Sequence, residues 1–235
     1  MSTQPDLSDI EIIAFDADDT LWHTENLFRD VQDELSNILE HYASHDDVQA
    51  HFHDMEMRNI KIFGYGVKGF TLSMVETAIE ISNQKISAKD IHKIVMLGKA
   101  LLESPLELFE GVHEVLSKLS QRYRLFLITK GDVLDQRNKI VKSGLEPLFE
   151  QTIVVQEKDP ATYKALFDEH KLQADCLVMV GNSLRSDVLP VLELGGVGIH
   201  IAYHTTAHFE LVEDVPDHPK FLQTKALADL IGVFG

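Results

Sequence analysis

Glu11-Ile-Ile-Ala-Phe-Asp-Ala-Asp-Asp-Thr-Leu-Trp22 is the stretch that decides the fold. The apolar run Ile12 to Phe15 stops abruptly at three acids within four residues, Asp16, Asp18 and Asp19, and Thr20 follows. A short, wholly apolar run bounded by polar residues reads as a strand buried on both faces, as in a parallel sheet. Acids crowded at the end of such a strand repel one another and require compensation. In open α/β sheets, ligands sit just beyond the carboxyl ends of the strands. A hard divalent cation held by oxygen is the simplest compensating ligand.

Outward from this strand the pattern becomes helical. Phe28, Val31, Leu35, Ile38, Leu39 and Tyr42 recur at spacings of three and four. A second helical stretch carries Val48, Phe52 and Met55, and the glycines of Gly64-Tyr-Gly-Val-Lys-Gly69 then interrupt the pattern. A third helix is expected over 71–82, and Ser87-Ala-Lys-Asp90 caps a fourth. No strand is expected between 24 and 103. After Pro105, strand and helix alternate. Strands are expected at 125–128, 152–155, 177–180 and 197–202, with helices at 111–119, 132–143, 160–170, 184–194 and 224–231. This order predicts a Rossmann-like, three-layer α/β core with a parallel sheet and an inserted all-helical domain. Residues 1–21 and 106–235 form the core, and 22–105 form the insertion.

The composition narrows the function. With 38 acids against 21 bases the formal net charge is −17. A nucleic-acid binder needs a basic surface to displace counterions, so that class is excluded. A small anionic substrate is not excluded, provided a local site supplies cations. The single cysteine, Cys176, lies in an apolar run and reads as core. No apolar run approaches the ~20 residues of a membrane span, and no signal peptide is visible, so a cytoplasmic protein is expected.

The expected parallel strands place polar groups along one edge. The first delivers Asp16, Asp18 and Thr20, and the second delivers Thr129 and Lys130. The third leads to Glu157-Lys-Asp-Pro160, and the fourth to Gly181-Asn-Ser-Leu-Arg-Ser-Asp187. Together these groups suit phosphoryl transfer. In this order and spacing they resemble the four motifs of the haloacid dehalogenase superfamily of hydrolases, with an inserted helical cap of the C1 type. Asp16, Asp18 and Thr20 match the first motif, Thr129 the second, Lys158 the third, and Gly181, Ser183 and Asp187 the fourth. Asn182 stands where the fourth motif has its first acid.

The resemblance implies a Mg²⁺-dependent phosphatase acting on a small phosphorylated metabolite. Asp16 is then the nucleophile and Asp18 the general acid and base. Asp16, the backbone carbonyl of Asp18, Asp187 and Asn182 hold the metal, while Thr129 and Lys158 hold the phosphoryl oxygens. Aligning Asp159-Pro-Ala-Thr-Tyr163 to the family pattern puts Glu157 at the lysine position, which leaves Lys130 as the alternative. The Asp at 18 favours phosphate esters over dehalogenation. A sugar phosphomutase and a catalytically silent binding or scaffold protein are the competing readings. Specificity falls to the cap, with Tyr65 and Lys68 on the glycine run and His23 after the first motif as candidates. His41 and His45 could share a helix face, but they have no fixed acid or thiol partner for zinc. Oligomeric state is not legible.

Overall fold

The computed structural model describes residues 5–212 and 214–235. The described residues fall into two compact units, one within 5–23, 106–130 and 136–235, the other of 24–105 and 131–135.

The first unit is built on strands β1 (Ile12–Phe15), β2 (Arg124–Lys130), β3 (Gln151–Val155), β4 (Leu177–Gly181), β5 (Val197–Ile201) and β6 (Phe221–Thr224). They form one sheet in the order β3-β2-β1-β4-β5-β6, and every pairing is parallel. β1 lies centrally, with Phe15 in register with Leu127 on one side and Val180 on the other. Its side chains alternate between two cores. Ile13 and Phe15 join Leu125, Leu127, Val178 and Val180, covered by Val115 and Leu116 and by Leu230 and Phe234. Ile12 and Ala14 join Phe126, Ile128 and Met179, covered by Tyr163, Leu166 and Phe167 and by Val191. The covering helices are α5 (Val112–Leu119) and α9 (Leu230–Phe234) on one face, and α7 (Pro160–His170) and α8 (Leu189–Glu193) on the other. Burial on both faces explains the continuous apolar runs.

The second unit contains helices α1 (Glu25–Leu39), α2 (His45–Phe63), α3 (Val67–Ile81) and α4 (Ala88–Glu103). Leu35, Leu39, Val48, Phe52, Phe70, Met74, Ala78 and Ile94 form its core. Ser44 and Ser87 cap α2 and α4, accepting from the N–H groups of Asp47 and Asp90. Gly98 of α4 packs against Thr71 of α3 so closely that an added Cβ would lie 2.1 Å from Thr71 Oγ1.

Four details depart from the sequence expectation. α3 starts at Val67, so Val67, Lys68 and Gly69 form its first turn and only the front of the glycine run is a connection. The expected helix 184–194 opens as a π-type turn, Leu184–Val188, in which the Val188 N–H reaches back to Ser183 O. Pro190, which has no N–H, lies in the first turn of the following helix. β6 was not expected, because an edge strand of two apolar and two polar residues has no buried pattern to read. The expected last helix over 224–231 is displaced accordingly, with Thr224 in β6 and α9 ending at Phe234.

Candidate active site

At the end of β1 the chain folds into a tight turn. Ala17 O accepts from the N–H groups of Thr20 and Leu21, at 3.2 and 2.8 Å. Asp19 takes a left-handed backbone at φ 61°, which a short polar side chain tolerates, and its N–H donates to Trp22 O at 2.7 Å. Asp16 and Thr20 are thereby both buried, with Thr20 Oγ1 donating to Asp16 Oδ2 at 3.0 Å. The same hydroxyl accepts from the Asn182 N–H at 3.0 Å and so ties β1 to the turn after β4.

Lys158 occupies the centre. Its Nζ donates to Asp16 Oδ1 at 2.5 Å and to Asp187 Oδ1 at 2.7 Å, and all three side chains are buried. Asp159 explains the register. It caps α7 by accepting from Thr162 N–H at 2.7 Å, with Pro160 in the first turn, so the residue before the cap is the one aimed at the acids. Glu157, which the motif alignment put at this position, instead accepts the Lys158 N–H at 2.8 Å. Asp187 is held from the other side by the Ser183 N–H, 3.0 Å from Oδ2.

One ammonium facing two buried carboxylates leaves an excess negative charge. Burial pushes the Asp16 carboxyl up to about 7, against the pull of Lys158 and with Asp187 adding to the rise. Asp187 is also raised by burial. Burial alone depresses the Lys158 ammonium, but Asp16 and Asp187 overcome it and hold it above the ordinary lysine value. The donor set beside this cluster suits a hard cation. The side-chain amide of Asn182 lies 3.3 Å from each of Asp16 Oδ2, Asp18 O and Thr20 Oγ1. With its nitrogen inward the amide donates to them; with its oxygen inward, it joins a group of facing oxygens of the kind magnesium takes.

Asp18 points into a different environment. Its Oδ1 accepts from Trp22 Nε1 at 2.7 Å and Lys139 Nζ at 3.0 Å, and its Oδ2 from Gln136 Nε2 at 2.7 Å. Gln136 Oε1 in turn accepts from Thr129 Oγ1 at 3.2 Å, joining the ends of β1 and β2 through helix α6 (Val133–Ser143). Lys130 turns away to Glu157 at 3.3 Å, Ser186 Oγ at 3.1 Å, and Glu210. His23 Nδ1 lies 2.9 Å from Tyr203 OH, with its ring against Phe109. In the helical unit, Lys68 Nζ pairs with the Asp132 carboxylate at 2.9 Å, and Tyr65 lies in the short connection before α3.

Sequence reasoning therefore singled out Asp16, Asp18, Thr129, Lys158, Asn182 and Asp187, which the sheet unit draws together. It missed Gln136, Lys139 and Glu210. The first two carry a local signal, being three residues apart on the helix after a polar strand end. Glu210 carries none, since only the folded chain brings it to Lys130.

The family model of haloacid dehalogenase-like hydrolases matches residues 10–195. The crystal structure of a haloacid dehalogenase-like family hydrolase from Xanthomonas campestris superposes with a TM-score of 0.88. It is 42% identical and covers 99% of this chain and 93% of that one. A glyceraldehyde 3-phosphate phosphatase of Pyrococcus abyssi is 27% identical over 194 residues, 79% of each chain. An N-acylneuraminate-9-phosphatase of Rattus norvegicus is 25% identical over 238 residues, 93% of this chain and 96% of that one. By motif order, sheet topology and these matches together, the chain belongs to the haloacid dehalogenase-like hydrolase family.

Proposed function

We propose that the chain hydrolyses a small phosphomonoester by way of an aspartyl-phosphate on Asp16. The observation that carries this reading is Lys158 set between Asp16 and Asp187, with Asp18 at the same strand end. The two phosphatase relatives support the reaction class, and their different esters leave the leaving group to be found by experiment.

In this reading a carboxylate oxygen of Asp16 bonds to phosphorus as the ester P–O bond breaks. Asp18, first freed from Lys139, delivers its proton to the departing oxygen. It then takes a proton from the water that attacks phosphorus, and release of phosphate restores Asp16. Lys158 and Thr129 hold the phosphoryl oxygens, and Lys130 is left to other partners. Asp16, Asp18 O, Asp187 and Asn182 would hold the Mg²⁺ that the family resemblance implies. When bound, the ion supplies charge neutralisation between an anionic nucleophile and an anionic substrate. His23, Tyr65 and Lys68 remain the candidates for reading the leaving group. Among the described residues no helix is long and apolar enough to cross a membrane. The phosphatase relatives favour a small phosphorylated metabolite as the substrate class.

The test is phosphate release from p-nitrophenyl phosphate and a panel of metabolite phosphates, with Mg²⁺ or with EDTA. Turnover is expected with Mg²⁺, and loss of it with EDTA and in Asp16→Asn. Undiminished turnover in Asp16→Asn would remove Asp16 as nucleophile, and isomerisation without phosphate release would indicate a mutase.

A further inference from the structure

Glu210 comes from the segment after β5, remote in sequence from every motif, yet its carboxylate joins three parts of the sheet unit. Its Oε1 accepts from Lys130 Nζ, and its Oε2 accepts from Ser183 Oγ and, at 2.6 Å, from Ser186 Oγ. The side chains of Glu210 and Lys130 are 12% and 11% exposed. Burial raises the Glu210 carboxyl, but Lys130 and the two hydroxyls outweigh it and keep the group below the usual glutamate value.

Each of these donors leads on to the candidate active site. The Ser183 N–H holds Asp187 Oδ2, and Ser183 Oγ accepts from the Ser186 N–H at 3.0 Å. Lys130 follows Thr129 and also reaches Glu157 Oε1, the atom that accepts the Lys158 N–H. Arg185 Nη1 donates to Phe209 O at 2.7 Å and fastens the segment beside Glu210 to the same turn. Glu210 is therefore bonded directly to the residue that supports Asp187, and through Lys130 to the one that supports Lys158.

We propose that Glu210 is a positioning residue, one whose carboxylate fixes the Ser183–Asp187 turn and the Lys130–Glu157 contact so that Asp187 and Lys158 stay aligned on Asp16. The inference rests on the phosphatase reading above. Removing the carboxylate leaves two buried hydroxyl donors and a mostly covered ammonium short of an acceptor, which relax by moving the turn. Small misplacements of reacting groups are costly in rate.

The experiment uses the full chain with Mg²⁺ and an ester that the wild type turns over. Glu210→Ala is expected to lower kcat by about 10- to 100-fold, as loss of an outer support commonly does. Formate, a small carboxylate that can enter the space left by the side chain, is expected to restore part of it. Glu210→Gln keeps the volume but puts an N–H₂ where an acceptor is needed, and an intermediate kcat is expected without formate rescue. Wild-type kcat in Glu210→Ala, or a loss that formate does not relieve, overturns the proposal while leaving the phosphatase reading standing. A wild-type chain inactive on every phosphate ester removes both.

Discussion

Gly181 and Asp187 are packed so that no side chain can be added to the first without displacing the second. A Cβ on Gly181 would lie 2.1 Å from Asp187 Oδ2 and 2.3 Å from its Cγ. The glycine at the end of β4 is thus a steric requirement of the carboxylate. Gly181→Ala is expected to push Asp187 off Lys158 and lower kcat by at least ~10-fold, with stability falling by about 1–3 kcal/mol from overpacking. Steady-state kinetics beside urea denaturation would check both, and wild-type turnover would show that Asp187 need not sit there.

Lys158→Met leaves Asp16 and Asp187 buried without their shared cation. Removing one partner of a buried charged group typically costs about 3–5 kcal/mol. Both acids already have raised folded-state values, and losing the lysine raises them further. The folded variant therefore takes up protons more readily than the unfolded chain. Its deficit is smallest at low pH and grows as pH rises through the carboxylate range. Denaturant midpoints of variant and wild type at pH 5 and pH 8 give the comparison, and equal deficits at the two would contradict it.

Glu56 of α2 is a second pH-sensitive group, in the helical unit. Burial pushes its carboxyl from 4.5 up to about 7. The folded state then binds the proton more tightly than the unfolded state, so this contribution is present below about 4.5 and lost as pH rises to about 7. Above that range the charged group costs roughly 3–4 kcal/mol. Glu56→Gln is expected to be more stable than wild type at pH 8 and close to it at pH 4, by chemical denaturation. An unchanged difference between the two pH values would refute the burial argument.

Gly98→Ala sets two effects against each other. Alanine in a helix interior gains up to about 1 kcal/mol over glycine. Here its Cβ would meet Thr71 Oγ1 at 2.1 Å and Cγ2 at 2.8 Å. Overpacking of that kind costs about 1–3 kcal/mol, so a lower melting temperature is expected. Adding Thr71→Ala removes both clashing atoms and should recover part of the loss. A melting temperature above wild type for the single variant would mean that α3 and α4 separate easily.

The parts of the fold that could be read from the chain are those whose cause is local. Ile12–Phe15 is apolar throughout because β1 is covered on both faces, and the acids after it mark the strand end. The helices of the insertion showed in the spacing of Phe28, Val31, Leu35 and Leu39, all of which are in or against one core. Lys158 was ambiguous because the loop between β3 and α7 sets its reach, and a one-residue shift leaves the local pattern nearly unchanged. Phe221–Thr224 gave no signal because an edge strand half open to solvent does not need a buried run. Lys139 and Glu210 gain their partners, Asp18 and Lys130, only through tertiary approach.

The central place of β1 also has a consequence for the order of assembly. Its partners begin at Arg124 and Leu177, so the earliest strand of this sheet to be synthesised is among the last to be enclosed. Such distant pairings are slow, because chain must be closed into a loop before any contact rewards it. The His23 N–H meets Glu107 O and the Phe109 N–H meets Leu21 O, so the long excursion leaves and rejoins the sheet unit at one point. Its length therefore adds only a logarithmic closure cost. Until β4 emerges, however, Ile12–Phe15 offers at least one bare, apolar edge to any neighbouring chain. The position of that strand makes its exposure last through synthesis of everything between β1 and β4.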